Sequence, residues 1–89
     1  MQQRDFVIEN RVGLHARPAA VCVQLANKFK SNIVVRKDGK SVSAKSILGV
    51  LSLGVEGGMK ISVAIEGEDE REAMNAFSRL VADKFGDQE

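Results

Sequence analysis

The chain has 89 residues, 44% of them hydrophobic and 28% charged, with a formal net charge of +1. That length fits one globular domain over residues 1–89, and the near-neutral balance argues against the broad basic surface of a nucleic-acid binder. Cys22 is the single cysteine and His15 the single histidine, so neither an intramolecular disulfide nor a His/Cys metal site is expected.

The polar start MQQRDF is unlike a signal peptide. No stretch approaches the roughly 20 apolar residues of a membrane span, so a cytoplasmic protein without membrane contact is expected. The charge is uneven: residues 1–45 carry nine Lys/Arg and three Asp/Glu, residues 46–89 four and nine. Such halves either steer an acidic partner to one surface or mix their signs on folding, and both readings stand.

Taken in order, residues 5–9 (DFVIE) read as a short strand with Phe6 and Ile8 facing one way. Asn10 to His15 reads as a loop. Pro18 marks a helix start, because its missing N–H costs nothing in a first turn. The helix runs to about Phe29, with Ala19, Cys22, Val23, Ala26 and Phe29 on its core face and Leu25 beside them. Ala16, Ala20, Gln24 and Asn27 lie on another face. Ile33–Lys37 and Lys40–Ala44 form strands joined by Asp38-Gly39, a pair that tolerates the positive φ of a tight hairpin.

Ser46 is expected to N-cap a short helix from Ile47 to about Leu53. Gly57-Gly58 makes a turn, and Ile61, Val63 and Ile65 alternate with polar or small residues in a half-buried strand. Glu68 to Phe85 is the clearest helix, with Asp69 and Glu72 resembling a capping box and Ala73, Met74, Phe77, Leu80 and Val81 forming its apolar stripe. The tail GDQE is expected to fray. The order β-α-β-β-α-β-α predicts a two-layer α+β fold: helices on one face of a mostly antiparallel sheet, with the other face in water.

His15 carries the most distinctive chemistry. It lies between Gly13-Leu14 and the helix start Ala16-Arg17-Pro18. Helix N-termini present unpaired N–H groups and the positive end of the dipole, a field that favours an anion such as phosphate. Arg17 adds a fixed charge and a fork of donors to phosphate oxygens. A neutral imidazole has a ring nitrogen free to attack phosphorus, and that nitrogen later leaves readily. Taken alone, a histidine near a helix start is more often a surface residue or a cap. The combination with Gly13, Arg17 and Pro18 is what points to phosphoryl chemistry.

Gly13-Leu14-His15-Ala16-Arg17-Pro18-Ala19 resembles the phosphohistidine signature of the HPr family, the phosphocarriers of the bacterial phosphoenolpyruvate-dependent phosphotransferase system. Lys45 to Gly54 (KSILGVLSLG) resembles the family's second signature, around a regulatory serine. The resemblance covers nearly the whole chain. It implies an open-faced β-sandwich, a four-stranded antiparallel sheet covered on one face by three helices. It implies that His15 accepts a phosphoryl group on Nδ1 from phosphorylated Enzyme I and donates it to EIIA domains, with Arg17 stabilising the group. The protein would be a covalent carrier rather than an enzyme, a monomer needing no cofactor or metal.

The resemblance also implies phosphorylation of Ser46 by HPr kinase/phosphorylase, and docking of partners on Ala20, Gln24, Ile47, Leu48 and Leu51 with Arg17 and Lys45 framing them. From the residues alone the leucines read equally well as core. Two alternatives stay open. One is the nitrogen-related HPr paralogue, of which Asn10-Arg11-Val12-Gly13 is reminiscent; the other is a non-catalytic regulatory binding module. The family's catabolite-repression paralogue lacks the active histidine, which this chain has in His15.

Overall fold

The computed structural model describes residues 1–86; of the tail GDQE expected to fray, Gly86 closes a 3-10 turn by donating to Asp83 O (2.9 Å), and residues 87–89 lie outside the described ones. The elements are β1 (Gln2–Val7), α1 (Ala16–Ala26), β2 (Asn32–Lys37), β3 (Lys40–Ser43), α2 (Ile47–Ser52), β4 (Lys60–Glu66) and α3 (Glu70–Ala82), followed by a 3-10 turn over Lys84–Gly86. The strands form one antiparallel sheet in the order β1-β4-β2-β3. This is the open-faced α+β sandwich expected from the sequence.

Alternation builds the core. Phe6 pairs with Ile61, Val35 with Val63 and Ile33 with Ile65, all on one face and all buried. From the helical layer, Ala19, Cys22 and Ala26 of α1, Val50 of α2, and Ala73, Met74, Phe77 and Val81 of α3 meet them. Phe77 is central, its ring 5.7 Å from that of Phe6 and 6.4 Å from that of Phe85. Cys22 lies inside this core, and burial pushes its thiol up to about 12, so it is an unreactive packing residue.

Several boundaries differ from those the sequence suggests, each for a physical reason. The first strand runs over 2–7 rather than 5–9. Ile8 stays buried because its N–H donates to Met59 O (2.9 Å) while its carbonyl accepts from Gly58 N (2.8 Å), extending the pairing beyond the regular strand. The first helix begins at Ala16, placing Pro18 third in the first turn, where the missing N–H is still harmless. It ends at Ala26 rather than Phe29, tightening into bonds from Lys28 N to Leu25 O and from Phe29 N to Ala26 O. The hairpin forms as expected: Asp38 and Gly39 both have positive φ, 52° and 81°.

The expected capping box at the last helix does not form. Asp69 is the N-cap residue, but its side chain makes no cap bond. Its carboxylate instead accepts from Lys30 N (2.8 Å), Ser31 N (2.9 Å) and Ser31 Oγ (2.5 Å), tying the start of α3 to the turn after α1. Glu70 rather than Glu72 reaches back, accepting from Gly67 N at 3.2 Å. Gly67 has no room for a side chain, since a Cβ there would lie 2.4 Å from Ser31 Oγ. At its other end α3 stops at Ala82 rather than Phe85. Lys84 and Phe85 adopt positive φ, and the Phe85 ring folds back into the core.

The Asp69 bonds, the one from the Ser31 hydroxyl foremost and that from Lys30 N next, hold its carboxyl below the usual carboxylate range. A lowered folded value contributes stability that is fully present above the unfolded value of about 3.9 and is lost as pH falls from there through the lower folded value. Urea unfolding between pH 6 and pH 2.5, run on the parent and on Asp69→Asn, is expected to show lower stability for the variant at pH 6. The gap should narrow as the solution is acidified.

Candidate functional site

His15 is the N-cap of α1, with extended backbone (φ −76°, ψ −172°) and a carbonyl that accepts from Ala19 N at 2.9 Å. Its side chain is exposed and does not cap its own helix. The amides of Ala16 and Arg17 lie too early in the helix to find an intrahelical acceptor, Pro18 has none to offer, and no acidic residue occupies the first turn. The positive end of α1 is therefore undiluted where the imidazole stands. Arg17 is exposed in the same turn, and Pro18 is buried beneath it.

The loop before His15 is held against the segment before β4. Gly13 has φ +67°, and a Cβ there would come within 2.1 Å of Val55 O and 2.5 Å of Glu56 Cα. From the other side, a Cβ on Gly57 would lie 2.5 Å from Arg11 O and 2.8 Å from Asn10 O. Two backbones thus touch through two glycines. Leu14 N donates to Val55 O (2.9 Å), Gly13 N donates to Asn10 O (3.0 Å), and Asn10 Nδ2 donates to Gly13 O. Asn10 is fully buried, and Leu14 is 4% exposed. Reading along the chain found Gly13 but missed Gly57, whose importance comes from contact with a segment more than 40 residues away, and Asn10, whose burial depends on that contact while its side chain bonds within its own turn.

The Ser46 hydroxyl accepts from Gly49 N at 3.1 Å and its carbonyl accepts from Val50 N, so Ser46 caps α2 as expected. The helix is anchored by buried Val50, and buried Leu53 follows it. Ile47, Leu48 and Leu51 point outward. They are three of the seven large apolar residues exposed among the described ones, all on a six-residue helix, and Leu48 is 77% exposed. Since α1 and α2 pack side by side, this apolar surface adjoins the helix that presents Ala16, Ala20 and Gln24 at four-residue spacing. Gln24 is exposed and Ala20 half-buried.

The lysines are not simple solvent charges. Lys45 Nζ donates to Phe29 O (2.8 Å), so Lys45 ties the start of α2 to the turn after α1 rather than standing free at the rim. At the other end, α2 has no basic residue in its last turn. Lys37 Nζ instead reaches Leu53 O (3.0 Å) and Gly54 O (3.2 Å), and Lys40 Nζ reaches Ser52 O (3.2 Å). The hairpin so supplies the positive charge that a helix C-terminus favours. The two charge halves also meet, at the Lys30–Glu68 pair (3.2 Å).

Among the described residues no group of three or more His, Cys, Asp or Glu could hold a metal ion, and no helix is long and apolar enough to cross a membrane.

Comparison with known proteins finds similarity along nearly the whole chain. The family model of the PTS HPr component phosphorylation site matches residues 2–83. Phosphocarrier protein HPr of Cupriavidus necator is 44% identical over 89 residues, covering all of both chains. The HPr-like protein Crh of Halalkalibacterium halodurans is 49% identical over 81 residues, 91% of this chain and 96% of that one. The crystal structure of HPr-C-His from Thermoanaerobacter tengcongensis superposes with a TM-score of 0.95 at 49% identity, covering all of both chains.

The Gly13 contact yields a prediction. Gly13→Ala combines positive φ with a backbone clash that no side chain can relieve. It is expected to cost about 2 kcal/mol or more in denaturant unfolding. Gly39→Ala, where a Cβ meets nothing within 4 Å, is expected to cost less.

Proposed function

From the premise that the chain belongs to the HPr family of phosphocarriers, we propose that His15 accepts a phosphoryl group from phosphorylated Enzyme I and passes it to an EIIA domain. The observation that carries this reading is the exposed imidazole at the N-cap of α1, beside Arg17 and with no acidic residue in the first turn. In the accepting step a lone pair on imidazole Nδ1 forms a bond to phosphorus as the bond between phosphorus and the donor breaks. In the donating step the P–N bond breaks as phosphorus bonds to the acceptor, and the imidazole is regenerated. This chemistry asks the protein mainly for alignment and charge stabilisation. The α1 dipole and the Ala16 and Arg17 amides favour the dianionic group, and the Arg17 guanidinium donates to its oxygens.

The exposed leucines of α2 and the neighbouring row on α1 form the docking surface in this reading. An apolar patch beside a cationic site suits acidic partners that must bind and leave within a transfer cycle. The carrier works as a monomer in the cytoplasm and binds neither nucleic acid nor membrane. Phosphorylation of Ser46 by HPr kinase/phosphorylase would add roughly −1.5 to −2 charges beside that patch. The cap position tolerates the phosphate within the chain, so its effect falls on docking.

A second reading, a regulatory binding module, stands beside it because an HPr-like protein Crh is 49% identical over 81 residues where the HPr relative is 44% identical over 89. Phosphotransfer separates the two. Incubated with phosphoenolpyruvate, Mg²⁺ and Enzyme I, the chain is expected to gain an acid-labile adduct of about 80 Da that His15→Ala abolishes. No adduct on the parent chain would leave only the binding module. Arg17→Ala is expected to slow transfer about ten- to a hundredfold, the loss of a charge-assisted hydrogen bond worth about 1.5–3 kcal/mol. Ser46→Asp is expected to slow phosphorylation of His15 by Enzyme I, and a rate equal to the parent's would remove the regulatory role.

A further inference from the structure

Asn10 lies five residues before His15 and, although polar, is fully buried. Its side chain reaches the Gly13 carbonyl, and its own carbonyl accepts from Gly13 N at 3.0 Å, closing the turn that leads to the site. The Gly13 carbonyl belongs to the same peptide unit as the Leu14 N–H, and that N–H donates to Val55 O at 2.9 Å. One peptide plane is therefore gripped at both ends, by Asn10 on its carbonyl and by the segment before β4 on its amide. The next peptide leads into His15, and between the two the Leu14 side chain is sunk in the core.

Resting on the carrier reading, we infer that Asn10 is a positioning residue for phosphoryl transfer: its Nδ2–H to Gly13 O sets the orientation of the 13–14 peptide and thereby the aim of the His15 imidazole. The physical argument is one of tolerance. A transfer between two proteins requires the attacking nitrogen to lie in line with the breaking bond, and a small error in placement there costs rate steeply. The 13–14 peptide leads through Leu14 directly into His15, so a rotation of that plane is passed on to the His15 backbone and the aim of its ring. Val55 fixes the amide end of that plane. Without a donor on Gly13 O, the plane rocks about the Leu14–Val55 bond and the buried carbonyl loses its partner. Docking does not depend on Asn10, because the exposed residues of α1 and α2 lie outside the turn.

Steady-state transfer from Enzyme I, with the carrier as varied substrate, tests this. The parent, Asn10→Ala and Asn10→Asp are compared at a temperature where circular dichroism shows each folded. Asn10→Ala is expected to keep KM within about twofold of the parent while kcat falls on the order of ten- to a hundredfold. Asn10→Asp preserves shape and adds a titration. An ionised carboxylate opposes the Gly13 carbonyl, whereas a protonated carboxyl donates to it again. Its kcat relative to the parent is therefore expected to rise as pH is lowered, a profile that lost packing does not produce. An unchanged kcat in Asn10→Ala overturns the inference, as does a defect confined to KM or a flat pH profile for Asn10→Asp. The carrier reading fails separately: a parent chain that gains no phosphoryl group overturns it and this inference together. A phosphorylated parent beside a fully active Asn10→Ala overturns this inference alone.

Discussion

The backbone contact between residues 10–14 and 55–58 is the constraint on which the candidate site depends. Gly13 and Gly57 let two chain segments approach more closely than any side chain allows, and the Leu14–Val55 bond fixes their register. Through it the sheet speaks to the helix terminus. Val55 and Met59 lead into β4, which lies between β1 and β2, so the loop bearing His15 is referenced to an interior strand of the sheet as well as to the edge strand β1 that it follows. A catalytic loop gains precision when rigid elements hold it.

The helical layer is held by bonds that cross between elements. Asp69 secures the start of α3 to the turn after α1, and Lys45 secures the start of α2 to that same turn. Lys37 and Lys40 grip the far end of α2 from the hairpin. These clips matter most for α2. Six residues make too short a helix to persist alone, and its outward leucines are an exposed apolar surface that only a fixed position makes useful. Stability and presentation of the patch thus come from the same polar contacts.

How a short helix divides its residues between core and surface illustrates the limit of reading along the chain. Ile47, Leu48, Val50, Leu51 and Leu53 are equally apolar, and their spacing does not say which two face inward. The docking of α2 against α1 and β3 selects Val50 and Leu53 and turns the others out. The capping box at Asp69 and Glu72 fails for a related reason. The spacing is right, but a carboxylate with three donors waiting at Lys30 and Ser31 gains more there than at the local cap.

Sequence by itself determined the features whose physics is local. Asp38-Gly39 sets the hairpin through allowed φ, Ser46 caps α2 through one hydrogen bond to Gly49, and the alternation of Ile61, Val63 and Ile65 declares a half-buried strand. His15 was legible for the same reason: glycine before it and a helix start after it are neighbours in the chain. Tertiary structure alone decided the rest. It paired Gly13 with the Val55–Glu56 backbone, buried Asn10 against the Gly13 carbonyl, diverted Asp69 from its cap and spent three lysines on helix ends. All but the Asn10–Gly13 bond join groups distant in sequence, and that bond, three residues long, depends on a turn closed by the distant Val55–Gly57 backbone; close approach or charge complementarity in space leaves no periodic trace along the chain.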